Sequence, residues 1–180
     1  MGIGKGYVSI KDRLFTKKLI SFLHELKEIP IEQRNKQLQQ IEESDKYTSN
    51  VGEKILFIIE KTSDNQKSSF VGKLFAAYLK EEITYKDFIR CAEIVNKANI
   101  YSLIELINGE FTGVPIDDDE DYINSGLFVI EEPKLELLKN NKIESVFGEE
   151  LGSTDFKLKE VEWSGVISKY GKLIREVMRK

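Results

Sequence analysis

Apolar side chains in the first 108 residues recur at the three- and four-residue spacing of α-helices, and this periodicity limits the fold more than any other feature. A clear example is the run that contains Leu19, Phe22, Leu23 and Leu26, with charged residues between them, as expected for a helix with one apolar face. The same spacing continues through five further segments. We therefore predict an all-α helical bundle for this part of the chain.

Residues that begin or end helices divide this periodic region. Pro30 should end the first helix, and its ring suits the first turn of a second helix at 31–43. Thr84 with Asp87 matches the spacing of a capping box, in which the first side chain accepts the amide three residues later. Ser102 with Glu105 repeats that spacing. The remaining helices are predicted to end at Lys61, to cover 68–80, and to end before Gly109.

The pattern changes beyond the sixth helix. A short helix at 118–125 should end at Gly126, and an apolar strand at 127–130 should follow it. The alternating segment 156–161 predicts the strand that pairs with it, and Ser164 is placed to cap a last helix. The predicted face of that helix holds Val166, Ile167, Tyr170, Ile174 and Val177.

That order of elements resembles a winged helix, which has a helix, a short helix, two strands joined by a wing, and often a closing helix. The overall fold prediction is therefore mostly α, a helical bundle followed by a winged-helix-like α+β subdomain. The predicted parts are a flexible glycine-rich lead at 1–10, an all-helical subdomain at 11–108 and the winged-helix-like subdomain at 109–180.

An acidic run at 117–121 argues against DNA binding, the usual function of such a fold. A helix that reads DNA bases needs hydrogen-bond donors, whereas carboxylates repel phosphates. Asp117, Asp119 and Asp121 also match the first three ligands of a calcium-binding EF-hand loop. That loop requires glycine and glutamate where this chain has Tyr122 and Phe128. Acidic residues at a helix start, which the helix dipole favours, are the preferred interpretation, and loose cation binding is the alternative.

Charge is unevenly distributed around a net charge of −4. Residues 157–180 hold 7 Lys and Arg against 3 Asp and Glu, and residues 1–40 hold 8 against 4. Lys169, Lys172, Arg175 and Arg179 form one stripe on the predicted last helix, with Tyr170 and Trp163 nearby to stack on bases or to anchor a protein. A solvated helix face is the preferred interpretation of the stripe, and phosphate binding is the alternative.

Residues for catalysis are scarce. His24 is the single histidine, and the single cysteine, Cys91, lies in a helical segment where burial is expected. Neither nucleophilic catalysis nor a metal site has an evident set of side chains, so we expect no enzyme and no cofactor. A single thiol favours a reducing cytoplasm.

The chain also resembles a set of small uncharacterised bacterial helical proteins. The likeness is carried by Gly52-Glu53-Lys54-Ile55-Leu56, by Gly72-Lys73-Leu74-Phe75-Ala76-Ala77-Tyr78 and by Ile83-Thr84-Tyr85-Lys86-Asp87-Phe88. Several of those proteins carry a hydrophobic segment ahead of a helix similar to Phe15-x-x-Lys18-x-x-x-Phe22-Leu23. The resemblance implies tethering of the natural protein to a membrane, although no window here approaches the roughly 20 apolar residues that span a bilayer.

These observations favour a non-enzymatic bacterial interaction or regulatory module in the cytoplasm. We expect a protein partner or self-association, and the resemblance adds a place on the cytosolic face of a membrane. One alternative is a nucleic-acid-binding protein that uses the basic stripe together with Lys11, Arg13, Lys17 and Lys18. A membrane-associated effector of bacterial defence is the other alternative, and it rests on the resemblance.

Overall fold

The structure is a computed structural model that describes residues 9–44, 51–109, 113–115, 120–131 and 164–180. Within these ranges the chain forms eight helices and three short strands, which confirms a mostly α fold. The helices are α1 (Ile10–His24), α2 (Ile31–Ser44), α3 (Val51–Lys61), α4 (Asn65–Leu79), α5 (Tyr85–Lys97), α6 (Ile100–Asn108), α7 (Glu120–Ser125) and α8 (Lys169–Met178). The strands are β1 (Gly113–Pro115), β2 (Phe128–Glu131) and β3 (Ser164–Ile167).

Side-chain caps explain where several helices begin. The predicted cap at Thr84 is confirmed, since its hydroxyl oxygen accepts the Asp87 amide at 3.1 Å. Helix α4 begins three residues before the predicted start because Asp64 accepts the Lys67 amide at 2.9 Å. The predicted cap at Ser102 is wrong. Helix α6 starts earlier, where the Asn99 side chain accepts the Tyr101 amide, and Ser102 is buried inside the helix.

Helix α4 is the central element of the core, and α1, α5 and α8 pack against it. Gly72 of α4 permits the close approach of α1, because a Cβ atom there would lie 2.7 Å from the Phe22 carbonyl oxygen. On another side, the ring of Phe75 packs against that of Phe88 of α5, with their centroids 5.1 Å apart. The buried cluster also includes Ile174 of α8, so it spans both predicted subdomains, and the division at 108/109 stays a prediction.

The three strands form an antiparallel sheet in the order β1-β3-β2. The predicted strand at 127–130 is confirmed as β2, and the predicted strand at 156–161 lies outside the described residues. The predicted helix start at Ser164 is wrong, because Ser164, Val166 and Ile167 belong to β3 and pair with β2.

Ser168, one helical turn after the predicted cap, is the residue that begins α8. Its hydroxyl accepts the Gly171 amide at 2.9 Å and donates to the Gly126 carbonyl oxygen at 2.7 Å. Gly126 closes α7 as predicted, with a φ of +89° that favours glycine. Ser168 therefore joins the end of α7 to the start of α8.

None of the helices in the described ranges is both long and apolar enough to cross a membrane.

Candidate protein-binding groove

An apolar groove of about 560 Å³ lies between α1, α2 and α3, with α4 beneath it. Its floor is formed by buried side chains that include Phe22, Ile59 and Leu79. These residues come from three different helices. The groove therefore opens directly onto the hydrophobic core.

Three large apolar residues on the edge of the groove are exposed to solvent. Leu23 of α1 is 49% exposed, Ile31 of α2 is 66% exposed and Leu56 of α3 is 43% exposed. Ile31 lies on the surface at the start of α2. Single exposed apolar residues are common, but a set that surrounds an apolar depression is typical of binding surfaces.

Arg34 supplies the positive charge on the groove wall. Its Nε atom is buried, and within the described part of the chain the side chain has no hydrogen bond or ion pair. A guanidinium group carries five N–H donors and no acceptor. Leaving one buried donor without an acceptor costs on the order of 1–3 kcal/mol.

A second, more polar cavity of about 890 Å³ lies between α2, the α4–α5 turn and α8. Two pairs of opposite charges lie on its wall. Lys169 Nζ lies 3.7 Å from Asp87 Oδ1, and Lys36 Nζ lies 3.6 Å from Glu81 Oε1. The Gln37 amide donates to the same Glu81 oxygen at 2.6 Å. These contacts join α2 and α8 to the α4–α5 turn.

The pKa of Asp87 on this wall is lowered from its ordinary value of 3.8. The main cause is the Thr84 hydroxyl, which donates to Asp87 Oδ2 at 2.7 Å; partial burial opposes the shift, and Lys169 adds to it. Because the folded pKa is the lower one, ionised Asp87 stabilises the fold above pH 3.8. That contribution is lost as the pH falls through the folded pKa.

We expect Thr84→Val to raise the pKa of Asp87 more than Lys169→Met does, because the hydroxyl contact is the larger cause of the shift. A carboxyl-carbon NMR titration of the two variants and the wild type measures this directly. Thermal unfolding curves should show the Asp87→Asn variant losing stability relative to the wild type at neutral pH and approaching it in acid. An equal or larger shift in Lys169→Met would contradict this order.

Much of the predicted basic stripe makes contacts within the fold. Arg179 donates from Nε to the Ile107 carbonyl oxygen at 2.7 Å and from Nη2 to that of Gly109 at 2.6 Å. It therefore caps the carboxyl end of α6, where the helix dipole favours a cation. Arg175 is partly buried and takes part in a contact, whereas Lys172 is exposed.

Among the other candidate binding residues, Lys11, Arg13 and Lys17 are exposed, whereas Lys18 and Tyr170 are half-buried. Tyr170 is half-buried and packs against the core, and Trp163 lies outside the described residues. Lys18 of the N-terminal cluster donates to the carbonyl oxygen of Glu60 at 3.0 Å and to that of Thr62, at the end of α3. Helices α1 and α8 both contact α4. Lys18 of α1 binds the end of α3, and Arg179, which follows α8, binds the end of α6.

Only some of the residues considered for metal binding or catalysis lie in the described part of the chain. Asp121 accepts the Asn99 amide at 2.9 Å, whereas Asp117 and Asp119 lie outside the described residues. Across the described ranges, no group of three or more His, Cys, Asp or Glu side chains could hold a metal ion. Cys91 is buried as predicted, and burial raises the pKa of its thiol to about 12. His24 is exposed near Glu25.

The groove was not predicted from the sequence. The available signals were Ile31 directly after Pro30, and Arg34 one turn later on a helix that is otherwise mostly polar. Comparison with known proteins does not assign a function to the groove. Neither the family models, nor the curated proteins, nor the solved structures give a significant match to this chain.

Proposed function

We propose that this chain is a non-enzymatic interaction module that binds an amphipathic helix of a partner protein in the apolar groove. The observation that carries the proposal is the set of exposed apolar residues, Leu23, Ile31 and Leu56, around a buried apolar floor. The absence of a family match leaves the proposal to rest on this surface.

A helix fits this surface better than a small ligand does. A small molecule inside the groove would leave the outward faces of Leu23, Ile31 and Leu56 in contact with water. A helix of roughly 10 Å diameter can insert one apolar row and cover the edge residues at the same time. Covering three half-exposed aliphatic side chains contributes roughly 3 kcal/mol before the costs of association are subtracted.

We also propose that the C-terminal part of the chain is a winged-helix-like scaffold. Its support is the order α6, β1, α7, β2, β3, α8 and the antiparallel pairing of β2 with β3, which is the pair that a wing joins. Winged helices also serve as protein-binding scaffolds, so this topology agrees with an interaction module. Attachment to the cytosolic face of a membrane and a role as a defence effector remain expectations from the resemblance.

A display library of 20-residue amphipathic peptides, with apolar residues at helical spacing, tests the proposal. We expect the wild type to enrich such peptides, and Leu23→Glu/Leu56→Glu to bind them roughly 10- to 100-fold more weakly, because it buries charge in the groove. Both replaced side chains are partly exposed, so the variant should fold. Tyr101→Glu, on the exposed face of α6, is the matched control and should bind as the wild type does.

Two results would contradict a peptide groove. One is failure to enrich any helical peptide, and the other is equal binding by Leu23→Glu/Leu56→Glu and the wild type. Including a mixed-sequence DNA duplex and single-stranded RNA in the same measurement covers the nucleic-acid alternative, which requires affinity that falls steeply with salt. That alternative has less support because Arg179 and Lys169 already contact groups within the fold.

A further inference from the structure

Arg34 stands out among the residues that line the groove. It lies in α2, beside apolar residues of α1 and α3, and its Nε atom is buried without an acceptor among the described residues. Its main-chain amide donates to the Pro30 carbonyl oxygen, which places it one turn from the start of the helix. A charged donor held in an apolar wall is suited to an anion that enters with apolar surface around it.

We infer that the helix bound in the groove carries an aspartate or glutamate within its apolar face, and that this carboxylate pairs with Arg34. This inference rests on the proposed function of the groove. A guanidinium group binds a carboxylate through two parallel N–H···O bonds, so this pairing gives orientation as well as attraction. Arg34 would thereby act as a specificity residue, favouring acidic over neutral and basic helices.

Two kinds of ligand could bring such an anion into the groove, a fatty acid and an acidic helix, and the exposed edge residues favour the helix. A fatty acid also joins a carboxylate to apolar surface, but it would leave the outward faces of Leu23 and Ile31 uncovered. An acidic amphipathic helix satisfies Arg34 and covers both residues. The observations therefore favour a peptide of another protein.

The test uses a set of 20-residue peptides with leucines fixed at helical spacing and one position within the leucine face varied among Glu, Asp, Gln, Lys and Ala. Wild-type protein should bind the Glu and Asp peptides about 10- to 100-fold more tightly than the Gln peptide. The Arg34→Met variant should bind the Glu and Gln peptides equally, and Arg34→Glu should prefer the Lys peptide. Arg13→Met, which removes an exposed arginine of α1, should retain the wild-type preference.

The outcomes separate the inference from the function on which it rests. Equal binding of Glu and Gln peptides by the wild type overturns the inference while leaving the groove as a peptide site. A preference for Glu that survives in Arg34→Met does the same. Failure to bind any peptide removes both. Stoichiometric binding of dodecanoate that displaces the peptides and depends on Arg34 would assign the groove to a small apolar anion and overturn the peptide source. The wild-type comparison of Glu with Gln needs no variant, so it stands even if Arg34→Met does not fold.

Discussion

Replacing Gly171 by alanine is expected to destabilise the protein by about 3 kcal/mol, because no space exists for a side chain there. A Cβ atom at this position would lie only 2.2 Å from the Leu127 carbonyl oxygen and 3.1 Å from Ile167 Cγ1. The Leu127 oxygen cannot easily retreat, since it accepts the Ser168 amide at 2.9 Å. The substitution therefore forces apart the start of α8 and the residue that precedes β2.

Urea unfolding followed by circular dichroism measures this loss. Gly52→Ala is the matched control, since it makes the same chemical change at an exposed position of α3. There the expected effect has the opposite sign, a gain of roughly 0.5–1 kcal/mol from higher helix propensity. A Gly171→Ala variant as stable as the wild type would show that α8 does not approach Leu127 as closely as the structure requires.

The helical part of the fold was predictable because its signals are local. The spacing of Leu19 and Phe22, the position of Pro30 directly before α2 and the Thr84 cap each act within one or two helical turns. Asp64 was missed as a cap because the neighbouring polar residues are equally suited to a turn. These differences moved helix boundaries and did not change the kind of element.

The strand at Ser164–Ile167 was mistaken for helix because long-range pairing decided its conformation. Ser164 and Ser168 are both suitable caps, and the local sequence does not rank them. Pairing of β3 with both β1 and β2 holds the first serine in the sheet and leaves the second to begin α8. Contacts with segments more than 30 residues away in the chain therefore set this boundary.

The candidate site depended even more on tertiary structure. The spacing of cations on α8 indicated a common face, but the bond from Arg179 to Ile107 spans 72 residues of the chain. The groove likewise depends on how far α1, α2 and α3 are separated above α4, which periodicity does not reveal. The position of Arg34 in an apolar wall became visible only when these helices were placed together.

Phe88→Ala is expected to cost about 3–5 kcal/mol, the largest effect of any substitution considered. Phe88 is fully buried in α5, and its ring lies 5.1 Å from Phe75 and 6.1 Å from Tyr85, measured between centroids. Removing the ring leaves a cavity between α4 and α5 that the packed neighbours can fill only in part. The midpoint temperature of thermal unfolding should fall by roughly 6–20 °C for a chain of this size.

Phe57→Ala is the matched control, because this phenylalanine of α3 is 54% exposed and its loss should cost under about 1 kcal/mol. The comparison also links the core to the proposed function. Phe75, which contacts Phe88, lies on the floor of the groove, so Phe88→Ala should weaken binding of the acidic helical peptide at a temperature where the variant is still folded. Peptide affinity unchanged in a folded Phe88→Ala variant would show that the groove keeps its shape independently of the aromatic cluster beneath it.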